Sequence, residues 1–276
     1  MIDLEIGEQP LTLAQLRGAW REPVQVKLAA SALQRVSTSS AKISEVLEKG
    51  TEVYGVNTGF GLLANVHISD DELEHLQENL IRSHAVGLGE LLPDEIVRLV
   101  MLMKLKALAE GFSGVRPRLV EALCDLVNSG IYPTIPRKGS VGASGDLAPL
   151  AHMSCALLGI GNVRVAGEEM TATEALRKAG LKPVRLRPKE GLALLNGTQV
   201  STAIALAAAF RTENVMSAAL VAGAMSTDAI KGSDNPFDER IHRIRRHKGQ
   251  IDVAATLRGL LNGSDIRASH VDCDRV

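Results

Sequence analysis

The feature that most constrains this chain is a glycine-rich stretch placed between two helix-forming segments. Residues 139–154 read Gly-Ser-Val-Gly-Ala-Ser-Gly-Asp-Leu-Ala-Pro-Leu-Ala-His-Met-Ser. Gly142 and Gly145 allow backbone conformations that other residues avoid, so the loop can bend tightly. Such a bend can bring the Gly145 nitrogen onto the Ala143 carbonyl carbon, and closure with loss of water gives a five-membered imidazolone. Loss of a second water from Ser144 leaves an exocyclic methylene, which is a strong electrophile made without an external cofactor.

A plain structural interpretation of the same triplet stays open. A Gly/Ser turn can simply precede a helix whose first-turn acid is Asp146. For Ala-Ser-Gly alone this interpretation is favoured, because composition yields such a triplet by chance. The case for the electrophile therefore depends on the residues around it.

Two further segments place polar side chains in glycine-containing loops. Residues 53–61 read Val-Tyr-Gly-Val-Asn-Thr-Gly-Phe-Gly, which is too rich in glycine for a stable helix and puts Tyr54 in a shaped loop. Residues 189–199 read Lys-Glu-Gly-Leu-Ala-Leu-Leu-Asn-Gly-Thr-Gln and put Asn196 in an Asn-Gly turn. Taken singly, Tyr54 is most simply a half-buried packing residue and Asn196 an ordinary turn residue.

Together the three segments resemble the signatures of the aromatic amino acid ammonia-lyases, the histidine and phenylalanine ammonia-lyase family. The resemblance implies that Ala143, Ser144 and Gly145 form the methylidene-imidazolone (MIO) prosthetic group autocatalytically, with no external cofactor and no metal. It also implies that Tyr54 removes a β-proton of the substrate and that Asn196 contacts the prosthetic group and the substrate amine. A phenol normally titrates near pH 10, so this role requires a stabilised Tyr54 anion.

The pair Ser83-His84 indicates the substrate. A lone histidine near a helix end is usually structural or solvated. At these positions, however, Ser-His resembles the histidine-specific members, which implies that His84 binds the imidazole of L-histidine through a hydrogen bond. The implied reaction converts L-histidine to trans-urocanate and ammonia. Lyases and aminomutases for other aromatic amino acids use the same prosthetic group, and only Ser83-His84 argues against them.

The remaining sequence predicts a mainly α fold. Aromatic residues make up only 3% of the chain, so the core must be largely aliphatic, which suits packed helices. Apolar residues repeat at helical spacing, and the predicted helices include residues 29–48, 94–109, 116–128 and 198–224. A small β-hairpin excursion is expected at 162–168. We expect residues 1–200 to form an N-terminal lyase domain that carries both loops, and residues 201–276 to begin a central helical-bundle domain that is truncated.

Composition and charge limit the partners and the location. A net charge of −1 offers no electrostatic case for binding nucleic acid or an anionic membrane. Three cysteines have neither a metal-binding spacing nor an even disulfide count, and the N-terminus has no signal-peptide pattern, so a reduced cytoplasmic protein is expected. Residues 191–210 are uncharged, but polar residues at 196–199 interrupt them. A buried helix preceded by a loop is therefore predicted in place of a membrane span.

The sequence departs from the family pattern at its end. In the family, a segment like Asp274-Arg275-Val276 is followed by a tyrosine, by an arginine that binds the substrate carboxylate, and by the long helices of a homotetramer core. We therefore expect a truncated N-terminal part that has weak or no activity unless another polypeptide completes it. The alternative is a non-catalytic domain that binds a complementary chain.

Overall fold

A computed structural model describes residues 1–50, 53, 55–58 and 70–269. The described part contains twelve α-helices and seven short strands, which confirms the predicted mainly α fold. The chain divides into two compact units, Met1–Ala207 and Ala208–Val276. The domain boundary expected at residue 200 stays a prediction.

The first unit begins with a strand, a helix and a second strand: β1 (Ile2–Ile6), α1 (Leu13–Arg21) and β2 (Val24–Leu28). The strands pair in parallel, with Ile2 opposite Val24. Alternate side chains of both strands are buried, among them Leu4 and Val26. This pair of strands was not predicted, because strands this short give little periodic signal.

Four helices form the centre of the first unit: α2 (Ala30–Glu48), α3 (Asp70–His84), α4 (Asp94–Ala109) and α5 (Pro117–Asn128). α4 packs against α1, α2 and α5. It is therefore buried on most of its surface, and it includes fully buried residues such as Leu99, Leu102 and Leu105. This burial makes α4 a rigid support for side chains that leave it.

Short antiparallel sheets join the later helices of the first unit. β3 (Leu88–Leu91) pairs with β5 (Pro136–Lys138), and β4 (Ile131–Pro133) pairs with β6 (Asn162–Val165), which pairs with β7 (Glu168–Thr171). β6 and β7 are the predicted hairpin, which is confirmed. The helices here are α6 (Leu147–Leu157), α7 (Ala172–Lys178) and α8 (Glu190–Leu195). α3, α6 and α8 pack against one another.

The second unit is built from helices. The unit boundary falls inside α9 (Gln199–Ala229), which is followed by a 3-10 turn (Asn235–Phe237), α10 (Glu239–Arg245), α11 (Lys248–Leu261) and α12 (Asp265–Ala268). Within this unit the Ser264 hydroxyl donates to Asp228 at 2.5 Å, and Arg267 pairs with Asp234. These bonds tie the end of α9 to α12.

α9 is long and apolar enough to cross a membrane by length and composition alone, a test that core helices of soluble proteins also pass. The loop predicted before it is confirmed at residues 196–198. The predicted burial holds only for one face near the start of the helix, where Val200, Ala203, Ala207 and Phe210 are buried, and only 11% of its apolar 18-residue window is buried. Val215, Val221 and Met225 are exposed. Apolar composition leads to burial only where other elements surround a helix, and the described residues do not surround this one.

Candidate active site

The Ala143-Ser144-Gly145 triplet lies in a tight loop between β5 and α6. Gly142 and Gly145 have φ angles of 69° and 79°, in the left-handed region that favours glycine. A Cβ atom on Gly145 would lie 2.1 Å from the carbonyl oxygen of Gly197. Position 145 therefore has no room for a side chain, and the sharp bend expected from the glycines is present.

Asn196 contacts the triplet directly. The Ser144 hydroxyl donates a hydrogen bond to Asn196 Oδ1 at 2.5 Å. Asn196 Nδ2 donates in turn to the Leu192 carbonyl at 2.8 Å. The amide orientation follows from these two bonds, with its oxygen toward Ser144. Two sequence segments that lie 52 residues apart thus meet at one place.

Asp146 joins the loop to the starts of two helices. Its backbone N–H donates to the Gly197 carbonyl at 2.7 Å, and α6 begins at the next residue. Its buried carboxylate accepts from the Ser140 hydroxyl at 3.1 Å and from the Ser201 N–H at 2.8 Å, in the first turn of α9. A carboxylate at a helix N-terminus satisfies an otherwise unpaired N–H and interacts favourably with the dipole. The starts of α6 and α9 are therefore held beside the triplet, where they favour negative charge.

Lys104 supports Asn196 from the centre of α4. Its side chain is buried, and Nζ donates to the carbonyls of Ala193 at 2.6 Å and Asn196 at 2.7 Å. Burial lowers the pKa of Lys104 to about 7. Lys104 was not predicted as a functional residue, although the sequence holds a signal: it lies three residues after Met101 and four before Leu108, on an apolar helix face.

Other buried polar side chains anchor the start of α8. The Glu190 carboxylate is almost fully buried and accepts from Arg116 Nε at 2.9 Å, from Arg116 Nη2 at 2.8 Å and from the Arg187 N–H at 2.8 Å. The hydrogen bond to Glu190 raises the pKa of Arg116. On α3, Gln77 Oε1 accepts from the Gly191 N–H at 2.9 Å. These contacts fix α8 before the chain reaches Asn196.

His84 lies at the C-terminal end of α3. Its Nδ1 is 2.8 Å from the Leu80 carbonyl. A carbonyl only accepts, so Nδ1 carries the proton of this bond, and Nε2 is the acceptor nitrogen of the neutral ring. The orientation of His84 is therefore set by its own helix.

The chain after His84 runs beside the residues that lead into the triplet. The Gly87 N–H donates to His152 Nε2, on α6, at 2.9 Å. A Cβ on Gly139 would lie 3.1 Å from the Gly87 Cα, so these two backbones are in close contact. Burial lowers the pKa of His152, which favours the neutral ring that accepts the Gly87 N–H.

Tyr54, the predicted base, lies outside the described residues. Its described neighbours Val56, Asn57 and Thr58 are buried. The Val53 N–H donates to Asn57 Oδ1 at 2.8 Å. The role of Tyr54 stays a prediction.

The described residues fit the predicted prosthetic group in two respects. Gly145 has the left-handed conformation of a tight bend with no space for a side chain, and the Ser144 hydroxyl that must leave is already hydrogen-bonded to Asn196. In the described part of the chain, no group of three or more His, Cys, Asp or Glu side chains is placed to hold a metal ion.

Comparison with known proteins agrees with this geometry. The family model for aromatic amino acid lyases matches residues 11–276. A histidine ammonia-lyase from Burkholderia orbicola (strain MC0-3) is 54% identical over 276 residues, which is 100% of this chain and 54% of that protein. The chain thus spans about half the length of the curated relatives it matches.

Solved structures give the same result. The histidine ammonia-lyase of Trypanosoma cruzi superimposes with a TM-score of 0.87 at 34% identity, over 98% of this chain and 52% of that one. A tyrosine aminomutase from Streptomyces globisporus gives a TM-score of 0.90 at 35% identity, over 96% of this chain and 50% of that one. This chain belongs to the aromatic amino acid lyase family.

Proposed function

We propose that this chain supplies the MIO-forming part of a histidine ammonia-lyase, which converts L-histidine to trans-urocanate and ammonia. The observation that carries the proposal is the 2.5 Å contact between the Ser144 hydroxyl and Asn196 Oδ1, in a loop where only glycine fits at position 145. The 54% identity to a histidine ammonia-lyase supports it. The activity, substrate and partners of the whole protein are part of this proposal.

The prosthetic group would form from the chain's own atoms. The Gly145 nitrogen bonds to the Ala143 carbonyl carbon. The first water takes the Ala143 carbonyl oxygen and the hydrogens of the Gly145 and Ser144 nitrogens. The second takes the Ser144 hydroxyl and the Ser144 Cα hydrogen. The Ser144 hydroxyl is held by Asn196, and the helix starts at Asp146 and Gln199 favour the negative charge that develops during closure.

Once formed, the group supplies an electrophile for the substrate amine, which makes the amine a better leaving group. The residues of the chain then have separate tasks. Tyr54 takes the β-proton as general base. Asn196, fixed by Leu192, holds the amine region. The bond that breaks is the carbon–nitrogen bond, and its electron pair leaves with the amine as ammonia.

His84 accounts for the choice of histidine. With Nδ1 committed to Leu80, the neutral ring presents Nε2 as an acceptor for the N–H of a substrate imidazole. A phenyl ring offers no such donor, so binding it would leave a polar nitrogen without a partner. The likeness to tyrosine aminomutase in fold keeps a lyase or aminomutase for another aromatic amino acid as the second candidate.

The test begins with the intact mass of the purified chain. A deficit of two water molecules, mapped to the peptide that contains Ala143-Ser144-Gly145, is expected, and Ser144→Ala should abolish the second loss. The chain is then mixed with the remaining half of the Burkholderia relative and given histidine, tyrosine or phenylalanine. Mass spectrometry identifies the product in each case: urocanate from histidine, and the corresponding unsaturated acid or β-amino acid from the other two. Turnover of tyrosine in preference to histidine would favour the second candidate. The proposal would be overturned if the measured mass equals that of the unmodified sequence and no product forms from any substrate with the partner present. That result would favour a non-catalytic domain.

Two further expectations belong to the same proposal. A homotetramer and a cytoplasmic location are implied by the family resemblance and stay predictions. Light scattering of the chain, alone and with the complementary half, measures the first. Fractionation of cells that express the chain tests the second.

A further inference from the structure

Lys104 is an unusual choice for the centre of a packed helix. It is 2% exposed, on a helix whose neighbouring positions are leucine, methionine and valine. Among the described residues, no carboxylate lies within ion-pair distance of it. Its described partners are the backbone carbonyls of Ala193 and Asn196. Burying a lysine without a countercharge opposes folding, so a purely structural demand would be met better by methionine or leucine.

The two carbonyls that Lys104 contacts have a defined place in the fold. They close the C-terminal end of α8, where the last carbonyls have no partner within the helix. One belongs to Asn196, the residue whose side chain holds the Ser144 hydroxyl. Either the ammonium or the neutral amine of Lys104 can donate both hydrogen bonds.

The contacts of residues 196–197 complete the geometry. The Asn196 N–H and side-chain amide both donate to the Leu192 carbonyl, and the Gly197 carbonyl accepts from the Asp146 N–H. Of the described hydrogen bonds of this segment, only the one from Lys104 links it to α4, the helix at the centre of the first unit. Without Lys104, the start of α8 would keep its bonds to Arg116 and Gln77, but the carbonyls of Ala193 and Asn196 at its end would lose their hydrogen bonds to α4.

We propose that Lys104 is a positioning residue that sets the Asn196 side chain against Ser144, and thereby sets the rate at which the triplet loses its two water molecules. The rate part of this inference rests on the proposed function. A displacement of about 1 Å in such a contact can slow a reaction on the order of 10²-fold. The part that concerns the position of the Asn196 side chain does not depend on whether the ring forms.

The first test measures position. Hydrogen–deuterium exchange followed by mass spectrometry compares the wild-type chain with Lys104→Met, which keeps the volume and removes the donors. Exchange should rise in peptides covering 190–199 and 140–146 for this variant. The matched control is Lys106→Met on the same helix, whose lysine donates to the Gly7 carbonyl at 2.6 Å, and it should leave both peptides unchanged. Unchanged exchange in Lys104→Met would overturn the proposal.

The second test measures the rate of ring formation. In the wild-type chain the two-water deficit is followed by intact mass after synthesis in a cell-free system. Lys104→Met should slow its appearance at least about 10-fold, while Lys104→Arg, which keeps the donors, restores most of the rate. Equal rates in Lys104→Met and wild type would refute the role of Lys104. Absence of the deficit in the wild type would count against the proposed function, and hydrogen exchange would then decide the role of Lys104. If Lys104→Met does not fold, Lys104→Gln serves in both experiments.

Discussion

The two compact units of this chain differ in how deeply their side chains are buried and in how many partners their charged groups have. In Met1–Ala207, whole helices such as α4 and α6 are buried, and charged side chains lie in the core with several partners each. In the described part of Ala208–Val276, the buried apolar residues are Phe210, Ala224, Ala254 and Leu261. Most of the described ion pairs there, such as Arg243 with Glu239, join neighbouring residues or turns at the surface.

This difference indicates which of the two units can hold the side chains of a functional site in fixed positions. A side chain keeps one position only if contacts from several elements restrict it, and the first unit supplies such contacts to Asn196, Asp146 and Glu190. The second unit has a few links between elements, such as Ser264 with Asp228, but depends mostly on bonds within helices and on surface pairs, which contribute little. The same type of substitution should therefore have a large effect in the first unit and a small one in the second.

The largest contrast is expected between two glycines with left-handed backbones. Gly145→Ala should abolish the two-water deficit, because the new Cβ would lie 2.1 Å from the Gly197 carbonyl oxygen. Gly263→Ala, at φ 78° with nothing within 4 Å, should cost only about 1 kcal/mol and leave the deficit intact. Intact mass and urea unfolding measure both. A normal deficit in Gly145→Ala would show that the loop can relax.

Two leucines give the next largest contrast. Leu105→Ala, in the fully buried centre of α4, should lower the free energy of unfolding by about 3 kcal/mol. Leu260→Ala, at a position that is 47% exposed, should change it by less than about 0.5 kcal/mol. Fluorescence of Trp20, the single tryptophan, follows the first unit during urea unfolding, and circular dichroism follows all helices. Similar losses would mean that the second unit is packed more tightly than its exposure indicates.

Two carboxylates test the electrostatic side of the comparison. Glu190→Gln leaves donors of Arg116 and Arg187 without their charged acceptor in a buried place, so it should cost about 2 kcal/mol. Asp238→Asn removes a surface pair in which the Arg240 side chain lowers the pKa of Asp238 to about 2. That change should not shift the unfolding midpoint measurably, because water screens an exposed pair. An Asp238→Asn effect as large as that of Glu190→Gln would contradict the comparison.

The last comparison concerns pH, where the expected change is smallest when it is counted per pH unit. The pKa of Lys104 is lowered to about 7 in the fold, while an unfolded lysine titrates near 10.4, so between these values the unfolded chain binds more protons. Stability contributed by this residue therefore rises with pH, by about 1 kcal/mol per pH unit between about pH 8 and 10. Lys104→Met should lose this dependence, and the exposed Lys248→Met should keep it. Parallel pH profiles for Lys104→Met and wild type would show that Lys104 keeps its normal pKa.

Much of the architecture follows from local pattern. Helical spacing predicted α2 from residue 29 to 48, and the structure has it at Ala30–Glu48. The hairpin of β6 and β7 was predicted at residues 162–168, and the bend at Gly142 and Gly145 was predicted from glycine alone. These features depend on residues close in sequence, so a reading of the chain can find them.

The parallel pairing of β1 with β2, the exposure of α9 and the contacts of Lys104 and Glu190 could not be found in this way. Lys104 meets Ala193 and Asn196 across 89 and 92 positions, and Glu190 meets Arg116 across 74. The sequence by itself determined which segments are helical, where the chain bends and which residues can carry chemistry. Only the tertiary structure decided which of those residues meet and which buried side chains hold them, because such contacts depend on how distant elements pack and leave no periodic trace along the chain.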